Sequence, residues 1–428
     1  MPSYTLRMSR PATIPVANAR ATFYWAPQGR GSFVSTYGPA LGGLGSVPKP
    51  NIEFVRIAAA AYGADRSTPR RADGSNWSQR ELNLTVPVSD IARWEPIADR
   101  LASLLGFLSG DEWTLNFVRS RWPKETITEQ SSTPARAVLL SGGADSAIGA
   151  LVSRHELGTE PHVLVSHFGP TVLPPIQRTI AADIAALLPG PAQEHRQIHF
   201  SRRGEQPNGV AFKSEPSSRS RSLLFIAFGL AVASINGVPL WIPENGFASL
   251  NPPLGPDRRG SLSTRTTHPL FLDGLQALLQ EAGVHAELIN PFREMTKGEM
   301  FRRAADIVGV SEAGALLSKT LSCAHTGHRA HGFSITVGCG VCFGCLVRRA
   351  AFAASGLEDR SQYLSNLSEP KLSKYLADKS AERSLQLFLE DGIRPADVAA
   401  MSLPSSYGAR QALELCQRAM DELRLLYP

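Results

Sequence analysis

Apolar and polar residues recur at two different periods along this chain, and the change of period divides it. The stretch Leu82-Asn83-Leu84-Thr85-Val86-Pro87-Val88 alternates with a period of two, which predicts a half-buried strand. Residues 91–108 follow with apolar positions at helical spacing around Trp94, Ile97, Leu101 and Leu105. Before them, residues 28–50 are rich in Gly, Pro and Ser, so residues 1–130 read as an α+β extension without a catalytic motif. The polar run 124–135 reads as a linker. Beyond it the periods alternate regularly: strands are predicted at 137–140, 162–167, 196–200, 239–243 and 286–289, with helices at 175–188, 220–235, 269–282 and 297–308. Repeated strand–helix units argue for a doubly wound parallel sheet, the α/β class, over 136–310. A cysteine-bearing segment occupies 311–356. Residues 357–428 are charged and helix-patterned, with Leu372, Tyr375, Leu376, Leu413, Leu415, Met420, Leu423 and Leu426 as packing positions and no evident chemistry.

In parallel α/β sheets ligands bind beyond the carboxyl ends of the strands. The segments 141–146, 166–169 and 244–246 fall at such ends and are expected to line one pocket, with Ser166 as a cofactor contact and His167 and Glu244 in reach for acid/base work. The first of these carries the strongest signal. In LLSGGADSAIGA, residues 139–150, an apolar strand runs into Ser141-Gly142-Gly143-Ala144-Asp145-Ser146 and then directly into a helical pattern. Paired glycines allow a tight turn and leave peptide N–H groups open to an anion, and the helix start adds its positive dipole end. The Walker pattern GxxxxGK[ST] is absent from the chain.

Composition narrows the class. The 428 residues suffice for two or three domains, and 43% hydrophobic with 19% charged content is that of an ordinary globular protein. A net charge of +6, with Arg202-Arg203, Arg219 to Arg221 and Arg302-Arg303 near the sheet domain, fits a small anionic substrate as well as nucleic acid. No aromatic-interleaved basic stripe accompanies it, so nucleic acid is not the expected partner. No apolar run is long enough to cross a bilayer and the start lacks a signal-peptide core, so a cytoplasmic location is expected.

Four of the five cysteines, Cys323, Cys339, Cys342 and Cys345, gather in one segment punctuated by Gly338, Gly340 and Gly344. Thiolates at this spacing can surround one tetrahedral Zn²⁺, and four of them leave no open coordination position, which makes such a metal structural. His325, His328 or His331 could replace one cysteine, and an iron–sulfur centre uses the same ligand type. Cys416 sits in an amphipathic pattern as a small apolar residue.

The SGGxDS string is similar to the signature of the PP-loop ATP pyrophosphatases, of adenine nucleotide alpha hydrolase-like fold, which cleave ATP between the α and β phosphates. The order of that loop, Met295-Thr296-Lys297 and the four cysteines resembles the QueC family of 7-cyano-7-deazaguanine synthases over roughly residues 136–355. The resemblance implies that Ser141, Gly142, Gly143, Asp145 and Ser146 hold ATP phosphates and that the four cysteines hold zinc. It implies adenylation of the carboxylate of 7-carboxy-7-deazaguanine, displacement of AMP by ammonia, and dehydration of the amide to a nitrile. Arg221 (or Arg219) and Lys297 are the candidates for offsetting charge on departing pyrophosphate, with Mg²⁺; Asp145 would help hold Mg²⁺ or cap its helix.

Roughly 130 residues before the loop, about 60 after the cysteines and a long gap between the first two cysteines depart from that pattern. With Trp94, Leu104-Leu105 and Gly110-Asp111-Glu112-Trp113, these additions resemble the QueC-like QatC proteins of the Qat anti-phage systems. There the implied chemistry stops at an amide formed on an amine of a partner protein from the same operon. Synthesis of the nitrile with free ammonia, a nucleotide-binding sensor or assembly module without turnover, and a tRNA-modifying enzyme are the competing readings.

Overall fold

The computed structural model describes residues 2–8, 21–25, 31–36, 41–70, 79–121, 126–129, 132–169, 173–216, 218–252, 265–323, 332–334, 336–367 and 370–427. The three histidines at 325, 328 and 331 lie outside them.

The extension contains β1 (Ser3–Arg7), β2 (Thr22–Tyr24), β3 (Phe33–Ser35), α1 (Lys49–Ser67), β4 (Glu81–Val88), α2 (Ile91–Trp94), α3 (Ala98–Ser109) and β5 (Glu112–Arg119). Strand β4 alternates as its sequence predicts, with Leu82, Leu84 and Val86 buried. The α+β reading of this region needs correction. Its four-stranded sheet, ordered β2-β1-β4-β5, pairs parallel throughout. The physical reason is the β4–α2/α3–β5 crossover: a helix lying on one face returns the chain in the same direction. Trp94 and Asp111 are fully enclosed there, Trp94 donating from Nε1 to Glu53 and Asp111 pairing with Arg70 at 2.8 Å.

The larger sheet comprises β6 (Arg136–Leu139), β7 (His162–Phe168), β8 (Glu194–Arg202), β9 (Leu240–Trp241) and β10 (Leu288–Ile289), in the order β10-β9-β6-β7-β8-β3. Its five core strands are parallel, and β3 of the extension closes the edge antiparallel to β8, Val34 opposite Ser201. Helices α4 (Ala144–Leu157), α5 (Leu173–Leu187), α6 (Arg221–Ala233), α7 (Gly246–Leu250), α8 (Pro269–Glu281), α9 (Lys297–Val308) and α10 (Val310–Ser318) cover it. Strand β6 shows why both faces are covered: Ala137 and Leu139 join one apolar core with α1, α6 and α8, whereas Val138 and Leu140 join another with α4, α5 and α9. The first core runs without a break into the extension, from Leu6 and Trp94 to Phe228 and Leu279.

Helices α11 (Phe343–Ser355), α12 (Pro370–Lys379), α13 (Glu382–Asp391), α14 (Pro395–Ala399) and α15 (Ala409–Arg424) complete the chain. All but α12 share a third core around Leu346, Phe388, Leu415, Cys416 and Met420 that reaches Phe247 and Leu250 of α7, while Leu376 of α12 packs against the cysteines. Cys416 is buried among apolar side chains, as its pattern predicts. Among the described residues no helix is long and apolar enough to cross a membrane.

Candidate active site

Strand order reverses at β6: β7 and β8 lie to one side, β9 and β10 to the other. Such a switch point opens a crevice between the carboxyl ends of the two diverging strands. The turn after β6, residues 141–143, and the turn after β9, residues 243–245, both line a cleft of about 780 Å³ at this place.

Gly142 adopts φ +97°, a conformation strained for any residue with a side chain. Gly143 is the N-cap of α4, and among the described residues no side chain caps that helix's first amides. Small hydroxyls hold the turn instead: Ser141 N donates to Ser146 Oγ at 3.1 Å, and Ser146 Oγ donates to Gly143 O at 3.0 Å. Leu321 N donates to Gly142 O at 2.9 Å, tying the turn to the chain leading into the cysteines.

Asp145, only 7% exposed, lies one step into α4. Its Oδ2 accepts from Lys297 Nζ at 2.9 Å and from Asn245 Nδ2 at 3.0 Å, while its buried Oδ1 has no hydrogen-bond partner among the described residues. Asn245 Nδ2 also donates to Glu244 Oε1 at 3.0 Å, so the two carboxyls are neighbours. Burial alone would raise both. Lys297 instead holds Asp145 below its ordinary value, whereas burial and the Asp145 charge push Glu244 well above its own. The two shifts run in opposite directions, favouring charge on Asp145 and a proton on Glu244. A proton or a cation shared between the two carboxyls would satisfy the orphaned Asp145 Oδ1.

Lys297 is the first residue of α9, whose start is closed by Thr296 and Glu299 in a reciprocal capping box. Asn245 similarly caps α7 through Ala248 N at 2.9 Å. The Pro-Glu-Asn-Gly order at 243–246 signalled a strand end and a turn, but nothing in the sequence singled out Asn245 as the bridge between two carboxyls.

The structure distributes the remaining expected residues over two places. Arg221, Arg219 and His167 line a separate cleft of about 290 Å³, which shares Ser141 and Thr266 with the larger one. Arg221 therefore does not stand beside Lys297. His167 Nε2 lies 3.0 Å from Phe200 O, and burial lowers its pKa to about 3, which leaves the ring neutral. Ser166 lines neither cleft. At 0% exposure it donates to Leu140 O at 2.6 Å and lies 2.8 Å from His195 Nε2, bracing the strand end beneath the turn. Asp65 of α1 reaches across to accept from Arg219 N and Ser220 N at 2.8 and 2.9 Å, so the extension caps the start of α6.

The sulfur atoms of Cys323, Cys339, Cys342 and Cys345 lie within 4.8 Å of one another, Cys339 and Cys345 at 3.9 Å. A tetrahedron built on Zn–S bonds of about 2.3 Å has sulfur–sulfur edges of about 3.8 Å, so the donor set fits one such ion. Cys342 N donates to Cys339 Sγ at 3.3 Å, the kind of support that disperses thiolate charge. Gly340 at φ +87° shapes the loop. Cys342, Phe343 and Gly344 form one wall of the large cleft, and Asp378, Lys379, Ser380 and Ser384 of the α12–α13 turn form another. Sequence reading missed that second wall; its residues are ordinary surface types, brought to the cleft only by packing.

Residues 267–356 match the family model of the queuosine biosynthesis protein QueC. The 7-cyano-7-deazaguanine synthase of Cupriavidus taiwanensis is 28% identical over 247 residues, covering 54% of this chain and 98% of that protein. The enzyme of the same name from Dechloromonas aromatica is 26% identical over 246 residues, covering 53% of this chain and 96% of that protein. The chain is thus similar to the QueC family over part of its length, and its parallel sheet and four-cysteine cluster are consistent with that similarity.

Proposed function

We propose that this QueC-like chain is an ATP-dependent, AMP-forming enzyme that activates the carboxylate of a deazaguanine, 7-carboxy-7-deazaguanine, and passes the acyl group to an amine. The observation that carries the reading is the convergence in one cleft of a helix start without a side-chain cap among the described residues, a buried Lys297–Asp145 pair and a second buried carboxyl, Glu244, bridged to Asp145 by Asn245.

The chemistry follows from that arrangement. A carboxylate resists nucleophiles because its leaving group would be oxide. Attack of its oxygen on the α phosphorus of ATP breaks the bond to the β-phosphate oxygen and releases pyrophosphate. An amine nitrogen then attacks the acyl carbon, AMP leaves with the bonding pair, and the amine loses a proton. The amides at the start of α4 would receive phosphate oxygens, and Lys297 Nζ, fixed by Asp145, would meet charge as it develops on the departing pyrophosphate. Ser141 and Ser146, whose oxygens are 3.0 Å apart, would orient the phosphate chain. The orphaned Asp145 Oδ1 and Glu244 would hold Mg²⁺, which supplies further charge for the leaving group. The four thiolates would hold Zn²⁺ as structure, keeping the Cys342–Gly344 wall in place.

The amine acceptor is read as the N-terminus of a partner protein, in anti-phage defence. That reading rests on the resemblance of the two added regions. It is tested by incubating the protein with ATP, Mg²⁺ and 7-carboxy-7-deazaguanine, alone and with proteins encoded beside it, and weighing the products. A neighbouring protein that gains the acyl mass supports transfer to protein; a free amide or nitrile returns the chain to small-molecule synthesis.

A further inference from the structure

The turn that carries Lys297 is held from outside its own domain. Helix α15 lies beyond the residues that match the family model, yet Glu422 on it reaches the first turn of α9. Glu422 Oε2 accepts from Gly298 N at 2.9 Å, and Oε1 accepts from Thr296 Oγ1. Gly298 makes room for this: a Cβ there would collide with the Glu422 carboxylate. Arg418, one turn earlier, donates to Glu299 Oε1 and Glu294 O, both at 2.8 Å, and Tyr407 OH donates to Arg293 O at 3.0 Å. Residues 293–299 are thus gripped repeatedly by residues 407–422. Leu415 packs against Gly246, directly after Glu244 and Asn245, so the same helix also bears on the second turn of the cleft.

We propose that α15 acts as a clamp on the catalytic turn, with Glu422 as the positioning residue that fixes where Lys297 presents its ammonium. Glu422 touches neither substrate nor Lys297 Nζ; it acts through the hydroxyl of Thr296 and the backbone amide of Gly298. A carboxylate is suited to this, because a helix start attracts negative charge and two amide or hydroxyl donors define its position. With α9 amides engaged by Glu422 (Gly298 N) and Thr296 Oγ1 (Glu299 N), the positive end of that helix is occupied, and Lys297 Nζ is the cation it offers to the cleft. The consequence is that the C-terminal region, which carries no chemistry of its own, sets the competence of the site. This inference rests on the proposed activity for its kinetic consequence but not for its structural core.

The test uses the full chain in three forms: Glu422→Ala, Glu422→Gln and, as a packing control in the core of the same helix, Met420→Ala. Hydrogen exchange followed by mass spectrometry reads the clamp directly. In Glu422→Ala the amides of residues 297–300 should exchange about ten-fold faster while those of α4 are unchanged, because opening of that turn has lost its tether. In AMP release from ATP with 7-carboxy-7-deazaguanine, kcat should fall about ten-fold with KM for ATP little changed, the pattern of a misplaced group acting in the transition state. Glu422→Gln, which keeps one acceptor, should recover part of that loss. Met420→Ala should lower the melting temperature and leave kcat unchanged. Unaltered exchange at 297–300 in Glu422→Ala would overturn the clamp, as would an equal kcat loss in Met420→Ala. If exchange responds but no form releases AMP, the clamp stands and the proposed reaction fails alone.

Discussion

Two helices begin at the same cleft and treat their amino ends in opposite ways. Helix α4 starts after Gly143, with no side-chain cap on its first amides among the described residues, whereas α9 starts behind Thr296 and Glu422, which accept from its amides, and Glu299, which accepts from Thr296 N. The dipole is common to both; the capping residue decides its use. An open end is a receptor for an anion. A closed end is a rigid mount, and here the mount carries Lys297 toward Asp145 of the open one. On the proposed reaction, the pair would set backbone donors and a fixed cation along one phosphate chain, which is what stabilising a departing pyrophosphate requires.

The largest effect should come from breaking the closed side. Lys297→Met removes the cation and leaves Asp145 buried without its partner, so AMP release should fall about a thousand-fold and stability by about 3 kcal/mol, read by a rate assay and by urea unfolding. Next, the open side can be closed. Gly143 has φ −85°, and a Cβ there would meet its nearest neighbours at 3.5 and 3.7 Å, so Gly143→Asp is accommodated. Its carboxylate would cap α4, raising stability by a few tenths of a kcal/mol, about the usual gain over Gly. ATP affinity should fall roughly a hundred-fold as an anion takes the phosphate's place, measurable by calorimetry.

Smaller changes sharpen the comparison. Thr296→Ala removes one cap of α9 while Glu299 and Glu422 remain, and should cost about 1 kcal/mol in urea unfolding. Ser166→Ala should cost about 1 kcal/mol as well, yet leave KM for ATP within about two-fold, because Ser166 braces the turn from beneath and lines neither cleft. A large rise in KM would restore it as a nucleotide contact.

How much of this was legible depended on whether neighbours in space were neighbours in sequence. Residues 141–146 are contiguous, and each of their roles, the turn at Gly142, the hydroxyls of Ser141 and Ser146, the carboxylate of Asp145, can be argued locally. The sheet strands were legible for the same reason, since buried parallel strands read as short apolar runs between helical periods. Strand β3 was not: three residues inside a Gly/Pro/Ser-rich stretch show no period, and only pairing with β8 makes them a strand. The extension's parallel pairing was missed because β5 was not recognised, and without it no crossover could be inferred. Asn245 and Glu422 are ordinary polar residues that bond Asp145 and Gly298 across 100 and 124 positions, and the α12–α13 wall reaches the cleft only through packing. Arg221, expected at the pyrophosphate from its charge and its place on a helix start, lines a neighbouring cleft that shares Ser141 and Thr266 with the larger one.

The proposed first step is cleavage of ATP between its α and β phosphates in this cleft to activate a carboxylate. Carboxylate-dependent exchange of radiolabelled pyrophosphate into ATP measures that step without requiring the acceptor. Exchange should require both Mg²⁺ and 7-carboxy-7-deazaguanine and be abolished in Lys297→Met. Absence of exchange in the wild-type protein, or ADP as the nucleotide product, would contradict it.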